Sequence, residues 1–163
     1  MKLQYGDIVT QSGAHTGVIC KLEIIPREWL SSDVVISHTT GNVVSLPTPF
    51  PGRSFFTLHV IPESLKFLQK PAISKAGPMY STTINGRTNL ITPLQRQTLE
   101  TLRHHELLAV VTFGDGRRRV VGSKYEGLKF SFEELTDNNG GGRYEAALDF
   151  FGEFENTSPF IRS

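Results

Sequence analysis

Apolar residues along this chain recur mostly at every second position. In GVICKLEII, Val18, Cys20, Leu22 and Ile24 fall on one side and Ile19, Lys21 and Glu23 on the other. This is the spacing of a half-buried strand, whose successive side chains point to opposite faces. The alternation continues through DVVIS, SFFTLHV (Phe56, Leu58 and Val60 inward), MYSTTI, LLAVVTF, RRVVG, GLKFSFE (Leu128, Phe130 and Phe132 inward) and RYEAALDFF (Tyr144, Ala146, Leu148 and Phe150 inward). It predicts about eight strands. Between the runs lie Thr40-Gly41-Asn42, Pro51-Gly52, Asn85-Gly86, Asp115-Gly116 and TDNNGGG. Each supplies residues that accept positive φ in tight turns, so the strands are expected to run antiparallel.

One segment has a different period. In ITPLQRQTLETLRHHE, Leu94, Leu99 and Leu102 recur at helical spacing with Thr98 beside them, and Thr92, Pro93 and Gln95 supply an N-cap, an N1 proline and a capping-box partner. This predicts a helix of about three turns near 93–105. Gln95, Arg96, Glu100 and Arg103 form its outward face, and Arg103, His104 and His105 suit the negative end of its dipole. A second, two-turn helix is compatible with PESLKFLQK, where Leu65 and Leu68 share a face between Pro62 and Pro71. SLPTPFPG, with Pro47, Pro49 and Pro51, reads as a stiffened surface loop. The expected fold is mainly β, a β-rich α+β domain: an antiparallel barrel or sandwich of about eight strands with one flanking helix near 93–105, spanning residues 1–163 as a single domain.

Composition narrows the function classes. The chain has 163 residues, with 17 Lys plus Arg against 16 Asp plus Glu and a formal net charge of +1, so no global field draws in nucleic acid or an acidic membrane. Any anion site has to be local. The single Cys20 has no disulfide partner in the chain and is expected to be a small buried thiol, in keeping with a reducing compartment. MKLQYGDIVTQSG lacks the apolar core of a signal peptide, and no run reaches the roughly 20 apolar residues of a membrane span. A cytoplasmic protein is expected.

Charge is densest in TFGDGRRRVVGS, Thr112 to Ser123. As a dinucleotide fingerprint it lacks the third glycine, since Arg119 stands there, and as a P-loop its order is Gly122-Ser123-Lys124 instead of Gly-Lys-Ser/Thr. Both motifs also need a strand leading into a helix, whereas here strand leads to strand. A hairpin is the simpler reading. Asp115-Gly116 then form a two-residue turn placing Phe113 opposite Arg118, Thr112 opposite Arg119, Val111 opposite Val120 and Val110 opposite Val121. In a strand Arg118 points away from Arg117 and Arg119. No aromatic platform interrupts GDGRRRVVG. A nucleic-acid module using Arg117, Arg118 and Arg119 remains the alternative function. Three phosphate contacts would weaken binding roughly 40-fold between 50 and 200 mM salt.

Other chemistry is sparse. His15, His38 and His59 are dispersed, His104 and His105 point apart on the helix, and no metal-ligand spacing or Gly-x-Ser-x-Gly elbow occurs. No catalytic residue, cofactor, metal or small-molecule substrate is expected. Glu133-Glu134 and Glu153 with Glu155 are acids that only the fold can bring together for sugar hydrolysis. Trp29 is read as capping the core at a strand end.

Taken as landmarks, LETLRHHE, LLAVVTFGDG, RRRVVGSKYEGLKFSFEE, DNNGGG and RYEAALDFFGEFENTSPF resemble an uncharacterised set of small structural proteins encoded in phages and prophages of Bacteroidetes-type bacteria. The matching residues are Arg119, Gly122, Ser123, Tyr144, Phe150 or Phe151, Gly152, Pro159 and Phe160, with IIPREWL and SKAGPMYSTTING similar upstream. The resemblance implies a virion component of the tail-tube or head-tail-completion kind: a β-barrel or sandwich flanked by a helix, without catalysis, working as a homo-oligomeric ring alongside other virion proteins. FGDGRRR is more basic than that set, which tends to show an Asn-Gly or similar turn there. The expected contact elements are the 107–123 hairpin, PTPFPG, TDNNGGG and the apolar SPFIRS. Arg117, Arg118, Arg119, Phe160 and Ile161 are the named candidates for subunit or anion contact. An apolar pair at the terminus calls for docking, on a neighbour or on the chain itself.

Overall fold

The alternating runs become strands in two stacked sheets. The computed structural model describes residues 19–161 except 62, 76, 90, 91 and 137–143. In chain order the elements are β1 (Ile19–Pro26), a 3-10 turn (Arg27–Trp29), β2 (Val35–Ile36), β3 (Val43–Ser45), β4 (Phe56–Leu58), β5 (Lys66–Ser74), β6 (Gly77–Asn89), α1 (Pro93–Leu102), β7 (Leu107–Phe113), β8 (Arg118–Val121), β9 (Lys129–Thr136), β10 (Tyr144–Phe154) and β11 (Phe160–Ile161). One sheet has seven strands in the order β2-β3-β11-β8-β7-β1-β4, and the other has four in the order β5-β6-β10-β9. The expected mainly-β fold is present, and of the two architectures foreseen it is the sandwich; the sheets do not close into a barrel.

Two apolar layers hold it. Between the sheets lie Leu22 and Ile24 of β1, Ala109 and Val111 of β7, Ile84 of β6, Phe130 of β9, and Ala146, Leu148 and Phe150 of β10. Phe56, Leu58 and Val60 pack against this layer as expected. On the far side of the larger sheet, Ile25, Leu108, Val110 and Val120 are covered by Leu30, Val43, Trp29, Val34, Leu46 and Phe55. Central strands of the larger sheet are therefore apolar on both faces. That accounts for LLAVV as an unbroken apolar run in an antiparallel setting, with Leu107 to Val111 all buried.

Helix α1 carries the connection from the smaller sheet to the larger. Thr92 Oγ1 accepts from Gln95 N at 3.3 Å and Gln95 Oε1 accepts from Thr92 N at 3.0 Å, so the capping box forms with Pro93 behind it. Leu99 and Leu102 enter the inter-sheet layer, whereas Leu94 is 71% exposed and is not a core residue. The helix ends at Leu102, and the turn tightens afterwards, with His104 N and His105 N donating to Thr101 O and Leu102 O.

Other expectations are corrected. The short helix foreseen in PESLKFLQK is instead strand β5, whose Phe67 packs on the inter-sheet layer while Leu68 is half exposed. A two-turn helix has little stability of its own, and pairing along all of β6 outweighs it. Asn85-Gly86 is not a turn but lies mid-way along β6. Gly86 packs closely under Leu65: a Cβ there would lie 2.8 Å from Leu65 Cδ2, so that side chain would have to shift. The chain reverses instead between Ser74 and Gly77. Cys20 is exposed, not buried, because a β-bulge falls between Ile19, paired with Phe113, and Lys21, paired with Thr112. The inward set of β1 thus starts at Ile19. TDNNGGG from position 137 onward, the side chain of Tyr144, His15 and Val18 lie outside the described residues.

Candidate functional site

The arginine-rich stretch does fold as a hairpin, with a register one step from the expected one. Ala109 faces Val121, Val110 faces Val120, Val111 faces Arg119 and Thr112 faces Arg118. Phe113 N donates to Arg117 O at 2.8 Å and Gly116 N to Phe113 O at 2.9 Å, so the loop is the three residues Gly114, Asp115 and Gly116, not a two-residue turn. Gly116 takes φ +85°, the left-handed position that closes such a loop. The shift decides which arginine is buried. Arg119, beside Val111, joins the face turned toward the smaller sheet.

Each arginine meets its own chain. Arg117 Nε lies 2.6 Å from Asp115 Oδ2, whose other oxygen accepts from Arg117 N at 3.0 Å. Arg118, on the opposite face, reaches Glu23 of β1 at 3.4 Å. Arg119 donates through Nε and Nη2 to Ser158 O at 3.0 and 2.8 Å, and Nη2 reaches Gln69 Oε1 of β5 at 3.3 Å. Gln69 Nε2 in turn donates to Thr82 Oγ1 at 2.9 Å and Ser158 Oγ at 3.0 Å. Thr82 and Ser158 are buried. The network ties both sheets to the C-terminal segment, and no buried polar side-chain atom among the described residues lacks a partner. Burial pushes the Arg119 pKa down from its ordinary value. An arginine nevertheless keeps its charge at any working pH.

Phe160 and Ile161 complete the site. As β11 they run antiparallel to β8, pairing with Arg119 and Arg118, and parallel to β3, with Ile161 opposite Val43. The terminal apolar pair thus docks on its own chain, filling the place between β3 and β8. The ring of Phe160 lies 4.6 Å from the Arg119 guanidinium and 5.7 Å from that of Arg117, and Phe67 lies 5.0 Å from Arg119. Phe67 meets Phe113 edge-on at 6.2 Å. Aromatic partners missing from the local sequence are therefore supplied by β5 and β11. Nothing in GDGRRRVVG signals them; the alternation in KFLQ is the one local hint of Phe67.

Other candidates separate. His105 Nδ1 meets a Glu28 carboxylate oxygen, and among the described residues no three His, Cys, Asp or Glu side chains converge as metal ligands. Glu134 pairs with Arg96 of the helix at 2.8 Å. Glu133 stands on the outer face of the smaller sheet, where it and Asp149 line a shallow groove of about 470 Å³ with Lys66, Asn85 and Arg87. Trp29 packs on the second apolar layer with the Arg53 guanidinium 4.3 Å from its ring centroid. No helix among the described residues is long and apolar enough to cross a membrane.

Comparison of the chain with models of protein families, with curated proteins and with solved structures gave no match in any of the three.

Proposed function

We propose that the chain is a non-enzymatic structural subunit of a phage-derived tail or head-tail assembly, made in the cytoplasm of the bacterial host and then carried in the virion, and that it works by ring-forming self-association. The observation that carries this reading is the smaller sheet. Its four strands are antiparallel throughout, and among the described residues β5 and β9 each have a neighbour on one side only. With an even number of strands the two edges run in opposite directions. A copy rotated about an axis along the strands then brings β9 of one chain antiparallel to β5 of the next, a heterologous contact that closes into a ring.

The residues that carry the resemblance to phage structural proteins meet one another in the fold. Arg119 holds Ser158, Pro159 O accepts from Val120 N at 3.1 Å, and Phe160 pairs with β8. A Cβ at Gly152 would lie 2.7 Å from the Phe154 ring. These positions are matched for packing of the body, as expected of a building block. The nucleic-acid reading is the weaker one, because the three arginines already have partners within the chain. Native mass measurement and electron micrographs at high protein concentration test the proposal. Closed rings of one stoichiometry are expected; a strict monomer overturns it, and binding to DNA that falls roughly 40-fold from 50 to 200 mM salt would favour the alternative.

A further inference from the structure

The outer face of the smaller sheet, turned away from the inter-sheet layer, carries two columns of opposite charge. Register sets Lys66 of β5 level with Asn85 of β6 and Asp149 of β10, Leu68 with Thr83 and Phe151, and Lys70 with Ser81 and Glu153. The column on β5 thus reads Lys, Leu, Lys and the column on β10 reads Asp, Phe, Glu, with short polar side chains of β6 between them. Among the described residues Lys66, Lys70, Asp149 and Glu153 form no ion pair within the chain. Leu68 and Phe151 are 50% and 41% exposed. Each column therefore holds a half-exposed apolar residue flanked by two unmatched charges, and the columns differ in sign.

We infer that this face pairs with the same face of a second copy about a two-fold axis running along β6. Such an axis keeps every row level with itself and lays β5 of one copy over β10 of the other, because β5 and β10 both run antiparallel to β6. Lys66 then meets Asp149, Leu68 meets Phe151 and Lys70 meets Glu153, each pair twice. Stacked sheets lie about 10 Å apart, and Ser81, Thr83 and Asn85 on the axis are short enough to permit that approach. The shallow groove along Asn85 and Asp149 lies where Lys66 of the second copy arrives. Arg87, also on the axis, is already held by Glu145 of its own chain at 3.5 Å. Strand β9, with Lys129 and Glu133, falls outside the overlap. Neighbouring axes match poorly. A two-fold across the strands through the Leu68 row sets Lys66 against Lys70 and Asp149 against Glu153. One along β10 sets Asp149 and Glu153 each against itself, and one midway between β6 and β10 sets Leu68 against Lys129. This contact goes beyond the ring reading, since it uses the face of the sheet and leaves the edges of β5 and β9 free.

Native mass measurement and sedimentation of the full chain at rising concentration test the pairing, and a two-fold dimer is expected. Lys66→Glu with Lys70→Glu, and separately Asp149→Lys with Glu153→Lys, are each expected to weaken dimerisation about tenfold or more, because every charge pair becomes like-charged. The fourfold exchange that combines them keeps the net charge of +1 and is expected to dimerise as the parent does, but not to pair with the parent. Its dimerisation also shows that the substitutions leave the chain folded. In a Cys20→Ser background, Thr83→Cys puts the one thiol of each chain on the axis, and a bis-maleimide spanning about 10 Å is expected to link two chains there. Double variants that dimerise like the parent, a fourfold exchange that unfolds cooperatively yet stays monomeric, or a thiol at position 83 that never links overturn the face pairing. Rings without a two-fold contact overturn this inference alone, dimers without rings overturn the ring reading alone, and a strict monomer overturns both.

Discussion

The two sheets treat their charges in opposite ways. In the seven-stranded sheet Arg117, Arg118 and Arg119 are satisfied by Asp115, Glu23 and the Ser158 carbonyl, and the slot between β3 and β8 is filled by β11 from the same chain. In the four-stranded sheet Lys66, Lys70 and Glu133 stand at the edges without an ion-pair partner among the described residues. The densest run of charge thus does internal work, while the sparse charges at the edges have no ion-pair partner among the described residues. Local charge density is a poor guide to which charges folding leaves unmatched. What matters is whether folding has already supplied the counter-group.

That contrast can be broken most severely at Arg119. Arg119→Ala would strand the Ser158 carbonyl in a half-buried layer and leave the Gln69 amide oxygen with Ser158 N as its one donor, and a loss of about 2–4 kcal/mol in denaturant unfolding is expected. Arg119→Lys should recover less than half of that, since an ammonium lacks the planar fork. A loss under about 0.5 kcal/mol, the range of an ordinary surface change, would show that the clasp is not structural. Gly86→Ala comes next, at about 1–3 kcal/mol, because the new methyl must displace Leu65. Thermal unfolding reads it. Thr92→Ala, which removes one half of the capping box, should cost about 1 kcal/mol by the same measurement. Smallest in stability is Lys66→Glu, within about 0.5 kcal/mol in denaturant unfolding, because Lys66 has no ion-pair partner among the described residues. Were Lys66→Glu to lower stability as much as Arg119→Ala, the distinction between the two sheets would be lost.

Most of the strand content was legible, and so was the helix start. Period-two runs such as GLKFSFE carry their own inside and outside, and Thr92, Pro93 and Gln95 form a complete local signal. The misreadings share one cause. Leu65 and Leu68 fit a helical face as well as they fit a strand, and the choice went to β5 because β6 was there to pair with it. Asn85-Gly86 has the chemistry of a turn, but Gly86 answers to Leu65, a contact across 21 positions that no local window contains. Cys20 belongs to the inward set by alternation, and one bulged residue turned it out. The hairpin register slipped by one for a similar reason, since Gly-Asp-Gly closes a three-residue loop as readily as Asp-Gly closes a shorter one.

For the candidate site the local signals were enough to say that three arginines sit on a hairpin between strands and that no phosphate-binding loop is formed. They were not enough to say what the arginines touch. Phe67, Gln69, Ser158 and Phe160 come from β5 and the C-terminal segment, up to 52 positions away in the chain. The sequence by itself determined the periodicities, the cap and the balance of charge, because these act between residues a few positions apart. Tertiary structure alone decided which guanidinium is buried, which strand edges stay open and which charges remain unmatched, because pairing in a sheet joins distant residues and is settled only when the whole layer is packed.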